Sequence, residues 1–241
     1  MSGNHFVFNF SWGYRERTPA EIGELILRSA EALGKIHPSL ENWWFMDLVA
    51  HEFLPMDQAR TKMATLVEQG LSTGEDGESS PRDGYFSTLT TDNERAEKVN
   101  LQIHDGFQSH KEFFWNSGTF VTERSRAPDP TFINGAVFEA AMMAMVRIWG
   151  AASARAFSGD LSKVPETSQR LFPPAWMTYL SAPLLARITP PTSVLSKPTS
   201  EGGLLMIATE ETFDVANAQH MAAAWAISDA LLPLTRKEFL F

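Results

Sequence analysis

The 241-residue chain has no cysteine, 3 tyrosines, and 20 Lys+Arg against 29 Asp+Glu, a formal charge of −9. Each shortage excludes something. Without cysteine there is no disulfide framework, no thiolate metal site and no cysteine nucleophile. With so few basic residues the chain is poorly equipped to meet phosphates, so direct binding of nucleic acid is not expected. There is no long uninterrupted hydrophobic run either. The most apolar stretch, residues 132–149, contains Asn134, Glu139 and Arg147. As a membrane span it would place two charges and an amide in hydrocarbon, so it predicts a buried helix and no membrane partner. Residues 1–6 lack the basic, apolar and small-residue regions of a signal peptide, which predicts a cytoplasmic location.

Local catalytic motifs are missing as well. There is no Ser-x-x-Lys pair, no Gly-rich phosphate loop and no acid-x-Lys element. His51-Glu52 begins like a zinc helix, but no second histidine follows. No cofactor or metal is expected.

What the chain does have is 44% hydrophobic residues, with 17 Phe and 7 Trp, enough for a full core without staples. Phe6, Phe8, Phe10, Trp12 and Tyr14 alternate with smaller residues, which predicts a strand with one aromatic face. That face reads as core; a stacking platform would need interleaved cations. Thr18-Pro19-Ala20-Glu21 is a capping box with Pro in the first turn, so a helix is predicted over 18–36. Residues 43–49 read as a central strand, 57–69 as a short helix capped by Gly70, and 71–84 as an exposed loop. Three antiparallel strands are expected at 85–90, at 99–103, and around Phe113, Trp115 and Val121. A Pro-rich break at 127–130 precedes a long helix over 132–156. Strands at 176–180, 193–197 and 204–208 follow. Asn217 should cap a last helix that buries Met221, Trp225, Ser228 and Leu232. Helices and strands mix without regular β-α-β alternation. The expected fold is therefore α+β, a largely antiparallel sheet against a long central helix and two or three further helices. It is read as a single domain over 1–241, with two halves meeting near 127–131 as the alternative.

Two features could carry function. His104 and Asp105, with His110 near, could form an acid–base pair on a strand, although the bland reading is a solvated strand end. His220, near the start of the last helix, reads as a local hydrogen-bonding group. Carboxylates cluster at Glu68, Glu75, Asp76 and Glu78, and again at Glu201, Glu210, Glu211 and Asp214, with no cation interspersed. Either cluster could be solvated loop charge, a carboxylate pair for hydrolysis, or an anionic surface for a basic protein.

The C-terminal third carries a resemblance. Pro174-Ala175-Trp176-Met177-Thr178-Tyr179-Leu180 is followed by Gly202-Gly203-Leu204-Leu205-Met206-Ile207-Ala208-Thr209, then Glu211-Thr212-Phe213-Asp214, Asn217, His220 and an Ala-rich helix. Over about 174–234 this series resembles the immunity protein 52 family of bacterial polymorphic-toxin systems. The resemblance implies a non-enzymatic protein, encoded beside a toxin, that binds that toxin inside the producing cell. It implies as partner a toxin with a restriction-endonuclease-like nuclease domain, often delivered by type VI secretion. It supplies no catalytic residues. Glu75, Asp76, Glu78, Glu210, Glu211 and Asp214 are the residues expected to face the toxin, on charge alone. A hydrolase using His104 and Asp105 or a carboxylate pair, a small-ligand sensor with an aromatic pocket, and a homodimer remain as alternatives.

Overall fold

The computed structural model describes residues 5–73, 78–91, 98–108, 116–123, 129–164, 167 and 170–235. The aromatic alternation does form a strand, β1 (Phe6–Trp12), and its four aromatics are all buried. The strand stops at Trp12, so Tyr14 lies beyond it. The capping box starts α1 (Pro19–Gly34) as expected. Thr18 Oγ1 accepts from the Glu21 N–H at 3.3 Å, and Glu21 Oε2 accepts from the Thr18 N–H at 2.8 Å. Removing the hydroxyl in Thr18→Ala should cost about 1 kcal/mol. A lower urea midpoint with an unchanged denaturant slope checks this.

β2 (Trp43–Asp47) and β3 (Glu52–Pro55) form a hairpin, followed by α2 (Met56–Arg60) and α3 (Met63–Glu68). The expected helix over 57–69 is thus two short ones, because Lys62 leaves helical geometry at φ −126°. Gly70 is not a left-handed cap. A side chain there would lie 1.9 Å from the Phe86 carbonyl oxygen, so glycine permits close backbone contact with the next strand. That strand is β4 (Asp83–Thr91), paired with β5 (Val99–Phe107), and β5 pairs with β6 (Asn116–Thr122). Phe113, Trp115 and His110 lie outside the described residues.

The helix expected over 132–156 is α4 (Gly135–Trp149), one residue shorter than α1. Asn134 is its N-cap, accepting from the Val137 N–H at 3.0 Å. Gly150 ends it in the left-handed region at φ +60°. The chain then turns into β7 (Ser153–Ser158), a strand the small residues there did not announce. After it come β8 (Met177–Leu180), α5 (Ala182–Leu185), β9 (Leu195–Pro198), β10 (Leu204–Ile207) and α6 (Ala218–Ala230). Asn217 caps α6 as expected. Ser228 is buried as expected, but the rest of its buried side is one position off, with His220, Ala224 and Ile227 inside and Leu232 largely exposed.

The ten strands among the described residues join one antiparallel sheet, in the order β3-β2-β4-β5-β6-β1-β7-β8-β10-β9. β2 lies next to an edge, not at the centre as expected. The centre is β1, hydrogen-bonded to β6 before the Pro-rich break and to β7 after it. Helices α1 and α4 pack over the aromatic face of β1. On the opposite face α6 makes a smaller cluster, where Ile227 and Leu231 meet Leu180 and Met206. Alternation along β10 explains the division, since Leu205 and Ile207 point to the main core and Met206 to α6.

Candidate functional site

The carboxylates sort by position. Strand register puts β4's first residues, Phe107, Trp12, Ser153 and Leu180 at one end of the sheet. Glu78 lies at that end, in the loop leading to β4, where Thr73 and Ser79 bridge each other. Glu75 and Asp76 fall outside the described residues. Glu210, Glu211 and Asp214 follow Ile207, which pairs with Met177 at the other end. β4 and β10 are six strands apart, about 30 Å at the usual strand spacing. Glu78 and the Glu210–Asp214 group therefore form no common patch. Glu201 also parts from its sequence neighbours, because it lies in the β9–β10 turn, at the opposite end of β10 from Glu210.

The Glu210–Asp214 segment is pinned from both sides. Thr212 donates to the Ile133 carbonyl beside the start of α4 at 2.9 Å, and buried Phe213 stacks near His220. The Asp214 N–H donates to His220 Nδ1 at 3.1 Å. His220 does the local work expected of it. With Thr212 and Phe213 held, Glu210, Glu211 and Asp214 are left exposed. Glu211 lies 3.5 Å from His220 Nε2, and Glu210 has no cationic partner among the described residues.

Beside this segment runs a groove of about 880 Å³ between α1, α4 and the β9–β10 hairpin. Its floor includes Ala140, Met143 and Ile148 of α4, Ile36 just after α1, and Leu205. It extends from Ala136 to Ile148, about 18 Å of helix. Its acids are neutralised in place. Lys197 Nζ lies 2.7 Å from Glu139, Arg147 is 3.9 Å from Glu201, and Arg60 is 2.6 Å from Glu31. Desolvation alone would raise the Glu201 carboxyl, but the Ser200 hydroxyl, a backbone hydrogen bond and Arg147 hold it below its ordinary value. The two charges that interrupt the apolar stretch at 132–149 thus face this groove. No helix among the described residues is long and apolar enough to cross a membrane.

The other expected constellation does not converge. Asp105 and His104 are successive residues of β5 and point to opposite faces. Asp105 is fully buried, and its two oxygens accept from Trp12 Nε1 at 2.9 Å and from Arg17 at 2.6 Å. His104 Nε2 lies near Ser72 Oγ and the Asp83 carbonyl, at 3.3 and 3.2 Å. No group of three His, Asp or Glu residues suited to a metal exists among the described residues. Sequence reasoning missed the Asp105–Arg17–Trp12 cluster and the groove, since both join segments far apart in the chain. The one local signal for the cluster was a lone acid within an apolar alternation, at Asp105.

A comparison with curated proteins finds no match. Among solved structures, the Pseudomonas aeruginosa T6SS protein PA0821 superposes with a TM-score of 0.55. The match covers 98% of this chain and 74% of that one at 10% identity, a likeness of fold alone. The family model described as immunity protein 52 matches residues 6–234, from the first residue of β1 to beyond α6. The chain belongs to the immunity protein 52 family.

Proposed function

We propose that this chain is a cytoplasmic, non-enzymatic immunity protein that binds and neutralises a cognate antibacterial toxin, a restriction-endonuclease-like nuclease effector of type VI secretion. The family match over 6–234 carries the reading. The exposed acids Glu210, Glu211 and Asp214, without a Lys or Arg partner among the described residues and close to one end of a preformed groove, support it. A nuclease must be basic to hold its substrate, and an uncompensated anionic loop attracts such a surface from a distance. The apolar floor of the groove would supply the short-range burial. Glu75, Asp76 and Glu78 are proposed as a second point of attraction, of which Glu78 lies at the other end of the strands.

The test is co-expression and purification with the product of the neighbouring toxin gene. A stable complex and survival of toxin-expressing cells are expected; neither appearing would overturn the proposal. Reversing Glu210, Glu211 and Asp214 to lysine should slow association about 10- to 100-fold at low salt and much less at high salt. Stopped-flow association across ionic strengths reads this. Matched reversal of Glu75, Asp76 and Glu78 shows which end the toxin meets first. Unchanged rates in both variants would remove the steering role.

A further inference from the structure

The sheet face opposite α1 and α4 carries a polar strip. Register places Gln102, Thr119, Asn9, Arg155 and Thr178 in one row across five adjacent strands. Ser117, Ser11 and Ser153 form the row beside it. Between the rows is a pocket of about 220 Å³, walled by Leu171 and Phe172. Arg155 is the cation lining it.

Arg155 is unusually placed. One of its terminal nitrogens donates to the Pro173 and Pro174 carbonyls, and its guanidinium lies 5.9 Å from the Phe157 ring and 6.0 Å from Phe172. Its buried Nε has no hydrogen-bond partner, and no carboxylate faces it among the described residues. Burial lowers its pKa to about 10, so it stays charged at neutral pH. The Thr178 hydroxyl next to it on β8 is also buried and unpartnered. Ser11 and Ser153 meet each other at 3.0 Å, in a bond where either hydroxyl can donate. A partly buried cation whose Nε is fully desolvated and that meets no counter-ion among the described residues, ringed by rotatable hydroxyls, is costly when empty and is balanced when an oxyanion enters.

We propose that this pocket binds a phosphate group, held by Arg155 with Ser11, Ser153 and neighbouring hydroxyls as donors. Hydroxyls arriving from β1, β6 and β7 suit the several acceptors of a tetrahedral anion better than a planar carboxylate. The volume admits the phosphate and not a whole nucleotide. The proposal is independent of the toxin, and the chain alone tests it.

Inorganic phosphate should raise the melting temperature of the full chain in proportion to the logarithm of its concentration, against sodium chloride of equal ionic strength. Phosphorus NMR should show line broadening of the same anion. Arg155→Met should weaken phosphate binding at least about tenfold, as expected for losing charge-assisted hydrogen bonds. If Arg155→Met fails to fold, the Ser11→Ala, Ser153→Ala pair, which keeps the cation, should still weaken binding severalfold. AMP in place of phosphate distinguishes the sources: equal binding marks a phosphomonoester and phosphate alone a free ion, and either supports the site. No phosphate-dependent shift, a shift unchanged by these variants, or stronger stabilisation by acetate would overturn it.

Discussion

Replacing Asp105 by alanine is expected to destabilise the protein by about 3–5 kcal/mol, a large part of the roughly 5–15 kcal/mol that holds a domain folded. The carboxylate is 0% exposed, and Arg17 beside it is 13% exposed. Their attraction, with the Trp12 N–H as a further donor, offsets the desolvation of both charges. Truncating the acid leaves a mostly buried guanidinium over the Trp149 ring, 5.7 Å from its centre, and an indole N–H facing no acceptor. The penalty is therefore that of an orphaned charge, larger than the net worth of the pair. Two further variants isolate this cause. Asp105→Asn keeps an acceptor but loses the charge, and should fall between wild type and alanine. Adding Arg17→Met to Asp105→Ala should recover part of the loss, because the stranded charge is then gone too. Urea unfolding of these proteins together with Arg17→Met alone closes the cycle and gives the coupling. A loss below about 1 kcal/mol for Asp105→Ala would show that the cluster contributes little.

Phe138→Ala should cost a comparable amount, about 3–5 kcal/mol, by a different route. Phe138 is 1% exposed on α4, and its ring lies 5.9 Å from Phe6, 6.0 Å from Phe120 and 5.4 Å from Trp176. Truncation removes apolar transfer energy and opens a cavity lined by rings that cannot easily collapse. Phe6 and Phe120 precede the Pro-rich break at 127–130, whereas Phe138 and Trp176 follow it. We take residues 1–241 as one cooperative unit on this ground, so the variant should still unfold in a single transition at a lower midpoint. Coincident far-ultraviolet circular dichroism and tryptophan fluorescence curves would bear that out. Two resolved transitions would indicate separate halves.

The parts legible in the sequence were those governed by near neighbours. Alternation from Phe6 to Trp12 announced a strand because side chains of a strand alternate across the sheet, and the aromatic face was buried as expected. Thr18 with Glu21, and Asn217, announced helix starts because a cap is satisfied within three residues. α6 was placed but misphased: so many alanines blur the boundary between its buried and exposed sides. β7 was missed because Ser153, Ala154 and Ala156 give small residues no contrast, and because its apolar helical neighbour seemed to continue through it. Asn134 was read only as an amide interrupting an apolar run; it is the donor-satisfying cap of α4.

For the candidate site, composition set the sign and approximate segments of the charge but not its arrangement. Glu201 and Glu210 are nine residues apart and look like one cluster, yet an intervening strand sends them to opposite ends of β10. His104 and Asp105 are adjacent and look like a pair, yet a strand turns them to opposite faces. The groove depends on Lys197 meeting Glu139 across 58 residues, and the phosphate pocket on β1, β6 and β7 lying side by side. The sequence alone therefore determined what short-range physics controls: the absence of cysteine chemistry, the acidic balance, the caps and the aromatic strand. Strand order, and with it which polar groups share a surface, came only from the tertiary structure. Hydrogen bonds between strands are indifferent to sequence separation, and the partner of each strand is chosen by packing of the whole chain.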